Sequence, residues 1–69
     1  MLQIPICLVK IGRAVKLARL GPRKDDMVLV APFNAKKSQW EHERWVGADS
    51  VVDDMEKLGK MADKYRAYL

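Results

Sequence analysis

Between Ser50 and Leu69 the apolar residues recur at helical spacing: Val51, Met55, Leu58, Ala62, Tyr65 and Leu69 alternate steps of four and three. At about 100° per residue all six fall inside an arc of roughly 80°, with Asp53, Glu56, Lys57, Lys60 and Lys64 on the opposite side. The spacing predicts one amphipathic helix over 51–68. Ser50 stands at the N-cap position, its hydroxyl placed to accept from the N–H of Asp53, and Asp49, Asp53 and Asp54 lie at the positive end of the helix dipole. A helix of that length is about 30 Å long, close to the diameter of a domain this small. One face of it can therefore fill most of the core. The same alternation also suits a coiled-coil seam, so a homodimer through the C-terminal helix is the second use of the stripe.

Sixty-nine residues make one domain, and such a chain buries only about 60% of the surface its unfolded form exposes. The single cysteine, Cys7, excludes an internal disulfide and lies in an apolar run, which reads as a buried small hydrophobe in a reducing compartment. That run has no basic segment before it and is too short to span a bilayer. The expected location is the cytoplasm, with no membrane partner. The net charge of +4 is unevenly spread: residues 1–24 carry Lys10, Arg13, Lys16, Arg19, Arg23 and Lys24 and no acid, whereas residues 25–69 sum to −2. A localised basic patch favours a phosphate backbone or an acidic protein surface.

Gln3 to Val9, rich in Ile, Leu and Val with Pro5 near its start, reads as a strand. Lys10 to Leu20 fits two periods. Ile11, Val15 and Leu17 suit a strand face, while Ile11, Ala14, Val15 and Ala18 suit a helix stripe with Lys10, Arg13, Lys16 and Arg19 opposite. The helix separates charge from apolar residues more cleanly and would stop at Gly21-Pro22. The rival is a hairpin turned between Gly21 and Asp26. Met27 to Ala31 is a second β-branched run closed by Pro32, so the order strand, helix, strand suggests a βαβ unit. Phe33 to Gly47 is polar, and Ser38-Gln39-Trp40-Glu41 has capping-box spacing for a short helix, an irregular loop or edge strand being the alternative. The expected fold is α+β: a short two-stranded sheet, a basic helix or hairpin at 10–20, and the long C-terminal helix packed across it. The expected core is Ile6, Leu8, Ile11, Val15, Val28, Val30, Met55, Leu58, Ala62 and Tyr65.

Catalytic inventories are thin. One histidine, His42, and one cysteine supply no zinc site of paired Cys and His ligands, and the glycines at 12, 21, 47 and 59 form no phosphate-cradling loop. His42 is set among Glu41, Glu43 and Arg44 and reads as a solvated side chain. We expect no enzyme activity and no cofactor. Trp40 and Trp45 are five apart, 140° on a helix and opposite faces on a strand, so regular structure cannot turn both rings into one core. An exposed tryptophan beside Arg44 is what interface hot spots favour. Trp40, Arg44 and Trp45 are therefore the candidate partner-binding residues, and Lys10, Arg13, Lys16, Arg19, Arg23 and Lys24 the candidate basic patch.

Ile11-Gly12-Arg13-Ala14-Val15-Lys16-Leu17-Ala18-Arg19, Asp25-Asp26-Met27, Arg44-Trp45 and Ser50 to Ala62, taken together, resemble the Cro- or C1-repressor type of helix-turn-helix. The resemblance implies an all-α alternative fold and a nucleic-acid-binding regulator that uses the basic N-terminal segment. The leading expectation is a small regulator or inhibitor that binds a larger intracellular protein or nucleoprotein. Phage and mobile-element accessory proteins are often chains of this size.

Overall fold

The computed structural model describes residues 5–68. They form a six-stranded antiparallel sheet and one α-helix: β1 (Ile6–Ile11), β2 (Ala14–Lys24), β3 (Met27–Asn34), β4 (Gln39–Trp40), β5 (Arg44–Gly47), β6 (Val51–Val52) and α1 (Met55–Lys64). The strand order is β4-β3-β2-β1-β6, with β5 following β4 along the same edge of β3. The chain leaves β5 and reaches β6, beyond β1, through a single 3₁₀ turn at Ala48–Ser50. Three residues cannot span a flat sheet from edge to edge, so the sheet must curl until its two edges meet. The amide of Ala48 donates to the carbonyl of Asp26 at 2.7 Å and ties that turn to the β2–β3 hairpin.

Curling gives the sheet an inside and an outside, and both are apolar. Cys7, Val9, Ala18, Val28 and Val30 fill the inside, with Ile11, Val46 and Val51 against them. Leu8, Leu17 and Phe33 form the outer layer, covered by Leu58, Met61 and Tyr65 at the C-terminal end of the chain. Strand alternation sends neighbouring residues to opposite faces, which explains why Cys7, Leu8 and Val9 are all buried in succession. The apolar run in β1 is continuous because each of its faces has a cover.

These elements correct the sequence expectation in several places. Lys10 to Leu20 is no helix: Ile11 pairs with Ala14 across a two-residue turn, and β2 continues to Lys24 before turning at Asp25-Asp26. Gly12 stands first in the β1–β2 turn with φ +62°, the glycine position of a type II′ hairpin. The rival hairpin reading is the one adopted, and the parallel βαβ unit gives way to antiparallel pairing throughout. Gly21-Pro22 marks a bulge in β2, between the pairs Leu20↔Val30 and Arg23↔Val28. A Cβ on Gly21 would come within 3.0 Å of the Leu29 carbonyl oxygen, so only glycine lets the strands approach there.

The two-stranded sheet is thus six-stranded, and the all-α helix-turn-helix alternative is excluded by the same pairing. The segment 38–47 supplies β4 and β5 rather than a short helix. The C-terminal helix is shorter than 51–68. Val51 and Val52 pair with Val9 and Leu8 as a strand, and the N-cap is Asp54, whose carboxylate accepts from the amide of Lys57 at 3.0 Å. Met55, placed in the expected core, is 73% exposed at the first turn. Gln3, Ile4 and Leu69, which the strand and stripe readings included, lie outside the described residues. Among the described residues no helix is long and apolar enough to cross a membrane.

Candidate functional site

The two tryptophans have opposite fates. Trp40 pairs with Phe33 at the β3–β4 ladder and meets its ring edge-on, centroids 5.0 Å apart at 61°. Phe33 in turn lies 4.9 Å from Tyr65 and 5.3 Å from Tyr68, so four aromatic rings gather where the chain's end crosses the outer layer. The indole N–H of Trp40 donates to the Tyr68 carbonyl at 3.1 Å, and the guanidinium of Arg19 lies over the ring, 4.3 Å from its centroid. Trp40 is a post that joins β2, β4 and the C-terminal segment.

Trp45 is 46% exposed. On β5 it stands opposite Leu29, and Met27, two residues along β3 on the same face, is 40% exposed. Helix α1 covers Leu8, Leu17 and Phe33 but not this part of the outer face. Met27, Leu29 and Trp45 therefore make an uncovered apolar strip. Arg44, adjacent to Trp45 in sequence, takes the other side of β5, opposite Val30, and lines a groove with Lys37, Gln39 and Trp40. Of the three residues expected at one interface, the structure leaves Trp45 open, packs Trp40 between Phe33 and the C-terminal segment, and sends Arg44 to a different surface.

A cleft of about 480 Å³ adjoins the strip, walled by Leu20, Pro22 and Leu29 on one side and by Trp40, Glu41 and Glu43 on the other. Arg19 lines it as well, and its Nε is shielded from solvent without a hydrogen-bond partner among the described residues. The cleft thus combines an apolar wall with a cation fixed on an aromatic face and lacking one acceptor. His42, exposed, stands at the same opening. Among the described residues no group of three or more His, Cys, Asp or Glu side chains could hold a metal ion. Cys7 lies apart from this cleft, in the inner layer, where burial pushes its thiol pKa up.

The six basic residues read as one patch are dispersed. Lys10 ends β1 and Arg13 sits in the first turn; Lys16 reaches Glu41 Oε1 at 3.5 Å; Arg19 stacks on Trp40. Arg23 and Lys24 are carried to the far end of β2, beside Asp25 and Asp26. The helical stripe of Lys10, Arg13, Lys16 and Arg19 does not exist. Lys36 and Lys37, which sequence reasoning did not single out, stand in the β3–β4 turn, where Asn34 Oδ1 accepts from both of their amides at 3.1 and 3.2 Å. Their signal was the turn chemistry of Asn34 to Ser38. Compared with protein-family models, curated proteins and solved structures, the chain matches none.

Proposed function

We propose that this protein is a small non-enzymatic binding module that regulates or inhibits a larger protein by docking on it through the strip of Met27, Leu29 and Trp45. The observation that carries the reading is Trp45 itself, a large ring left 46% exposed on a sheet face that the protein's own helix leaves bare. Exposed tryptophan in an apolar patch is a typical interface anchor, and truncating such an anchor commonly costs 2 kcal/mol or more of binding, roughly 30-fold in affinity. The adjoining cleft offers the partner a second contact. A side chain entering it meets Leu20 and Leu29, with Arg19 in the lining.

The test replaces Trp45 with a photo-crosslinking amino acid in cells that express the protein, with the same residue at Lys57 on exposed α1 as control. A discrete adduct at position 45, absent at 57 and lost when Leu29→Asp is added, supports the reading. Equal labelling at both positions overturns it. A wild-type chain that sediments as a dimer at micromolar concentration, and as a monomer after Trp45→Glu, would assign the strip to self-association instead.

A further inference from the structure

The fold sorts charge in a way that the linear sequence conceals. The β1–β2 turn and the β3–β4 turn lie at the same end of the sheet, because Ala18 pairs with Pro32 and the last residues of β3 come back beside the first of β2. Lys16 and Lys36 line one groove there, with Ala14 and Asn34 between them. Lys37 and Arg44 line the neighbouring groove with Asn34, Gln39, Trp40, Glu41 and His42. Lys10 and Arg13 complete the set from the first hairpin. Six cations thus face two acids, Glu41, which is paired with Lys16, and Glu43, which precedes Arg44. Lys10, Arg13, Lys36, Lys37 and Arg44 are exposed and make no ion pair among the described residues.

The opposite end has the reverse balance. Asp25 and Asp26 form the β2–β3 turn, Asp49 is held next to it through the bond from Ala48 to Asp26, and β6 runs away from the basic end to deliver Asp53 and Asp54. Arg23 and Lys24 offset two of those five acids. The molecule therefore carries about four net positive charges at one end and three net negative at the other, a dipole that its formal charge of +4 does not disclose.

We propose that the basic end binds the phosphate backbone of a nucleic acid, with Lys10, Arg13, Lys36, Lys37 and Arg44 each meeting a phosphate. The arrangement suits a repeating anion better than an acidic protein. A protein interface is depleted of charge at its centre and built on apolar anchors, whereas here the centre is charged and the apolar strip lies elsewhere, around Trp45. Two adjoining grooves whose rims carry unpaired cations can follow a strand of phosphates, and the acidic end turns the remainder of the molecule away from it. The proposal stands apart from the docking strip, since Trp45 takes no part in it.

The test is fluorescence anisotropy of a labelled 20-base-pair duplex and of a single strand of the same sequence, titrated with the full chain between 50 and 200 mM salt. If five phosphates are neutralised, the log–log slope on the duplex is about −4 to −5, and Lys36→Gln with Lys37→Gln flattens it by about 2. Arg23→Gln with Lys24→Gln removes the same net charge from the other end and leaves the slope unchanged, as does Trp45→Ala. Retention of the slope in the Arg23/Lys24 variant and its flattening in the Lys36/Lys37 variant on either probe supports the proposal, and the tighter probe identifies the strandedness. Equal weakening by the Arg23/Lys24 variant would reduce the effect to net charge and overturn it. So would absence of binding at 50 mM salt, or polyglutamate competing as well as DNA of equal charge, which would assign the end to an acidic protein.

Discussion

The Arg19 guanidinium lies over the Trp40 indole, 4.3 Å from its centroid, and this pair fastens the middle of β2 to β4. Arg19 needs no acid here because the ring face stabilises its charge and Trp40 needs little water because the guanidinium covers it. Such contacts contribute about 0.5–1 kcal/mol when exposed and about 2 kcal/mol when desolvated. In a urea-denaturation double-mutant cycle, Arg19→Ala and Trp40→Leu should couple by about 1 kcal/mol. Arg19→Lys should recover only part of it, since an ammonium cannot stack. Additive single effects would show the two side chains to be independent.

The outer layer should be the more sensitive place to cut. Leu8 and Leu17 are fully buried between the sheet and α1, so either Leu→Ala change should cost about 2–5 kcal/mol. Leu58, on the helix side of the same layer, is only half-buried and should cost less, about 1–2 kcal/mol. Met55→Ala, at a side chain 73% exposed, should stay within about 0.5 kcal/mol. Denaturant melts of the four variants give the ranking. A Met55 effect equal to that of Leu58 would mean that α1 packs one turn earlier along its sequence.

How far the sequence discloses this fold depends on where the deciding contact lies. The apolar runs in β1 and β3 are legible because each is continuous and bounded, and the helix is legible over Leu58 and Tyr65 because three- and four-residue spacing is local; Met61, outside the predicted stripe, packs beside them in the place expected of Ala62. Val51 misleads, since a residue that continues a helical stripe can equally pair with Val9 in a sheet. Ser50 and Asp54 both offer caps four residues apart, and the choice falls to the β-branched Val51-Val52 pair, which the sheet edge claims. Lys10 to Leu20 carries both periods, and only its pairing with β1 resolves them. The tryptophan spacing does not decide which ring stays out: residues 41–43 break the strand, both indoles come to the outer face, and only Trp40 has Arg19 and Phe33 against it. Lys16 and Lys36 are 20 residues apart in the chain, and the pairing of β2 with β3 brings them to one groove.

Cys7 ties stability to alkaline pH. Burial raises its thiol pKa above the ordinary 9.0, because the inner layer cannot solvate a thiolate. The unfolded chain therefore loses this proton at lower pH than the folded one, and stability falls as pH rises past about 9 until the folded thiol also ionises. Below 9 the thiol is protonated in both states and contributes no slope. Cys7→Ala should remove this part of the alkaline decline, leaving that from the other titrating groups. Thermal melts from pH 7.5 to 10.5 measure it, and parallel curves for the two proteins would show that the folded thiol ionises at its ordinary pH.

The clearest readout of the site is the difference between the two indoles. Trp40 is enclosed by Arg19, Phe33 and its bond to Tyr68, while Trp45 stands 46% exposed on β5. Single-tryptophan forms, Trp40→Phe and Trp45→Phe, isolate each emission. The form that retains Trp45 should emit further to the red and be quenched by acrylamide several times more strongly than the form that retains Trp40. Iodide adds a second axis. An anion drawn towards the cations of the Lys37–Arg44 groove should quench Trp40 more than acrylamide accessibility alone implies, and that excess should vanish in Lys37→Gln or in high salt. Trp45, preceded two residues earlier by Glu43, should show no such excess. Equal acrylamide quenching of the two forms would remove Trp45 as an open anchor and, with it, the basis for the docking strip.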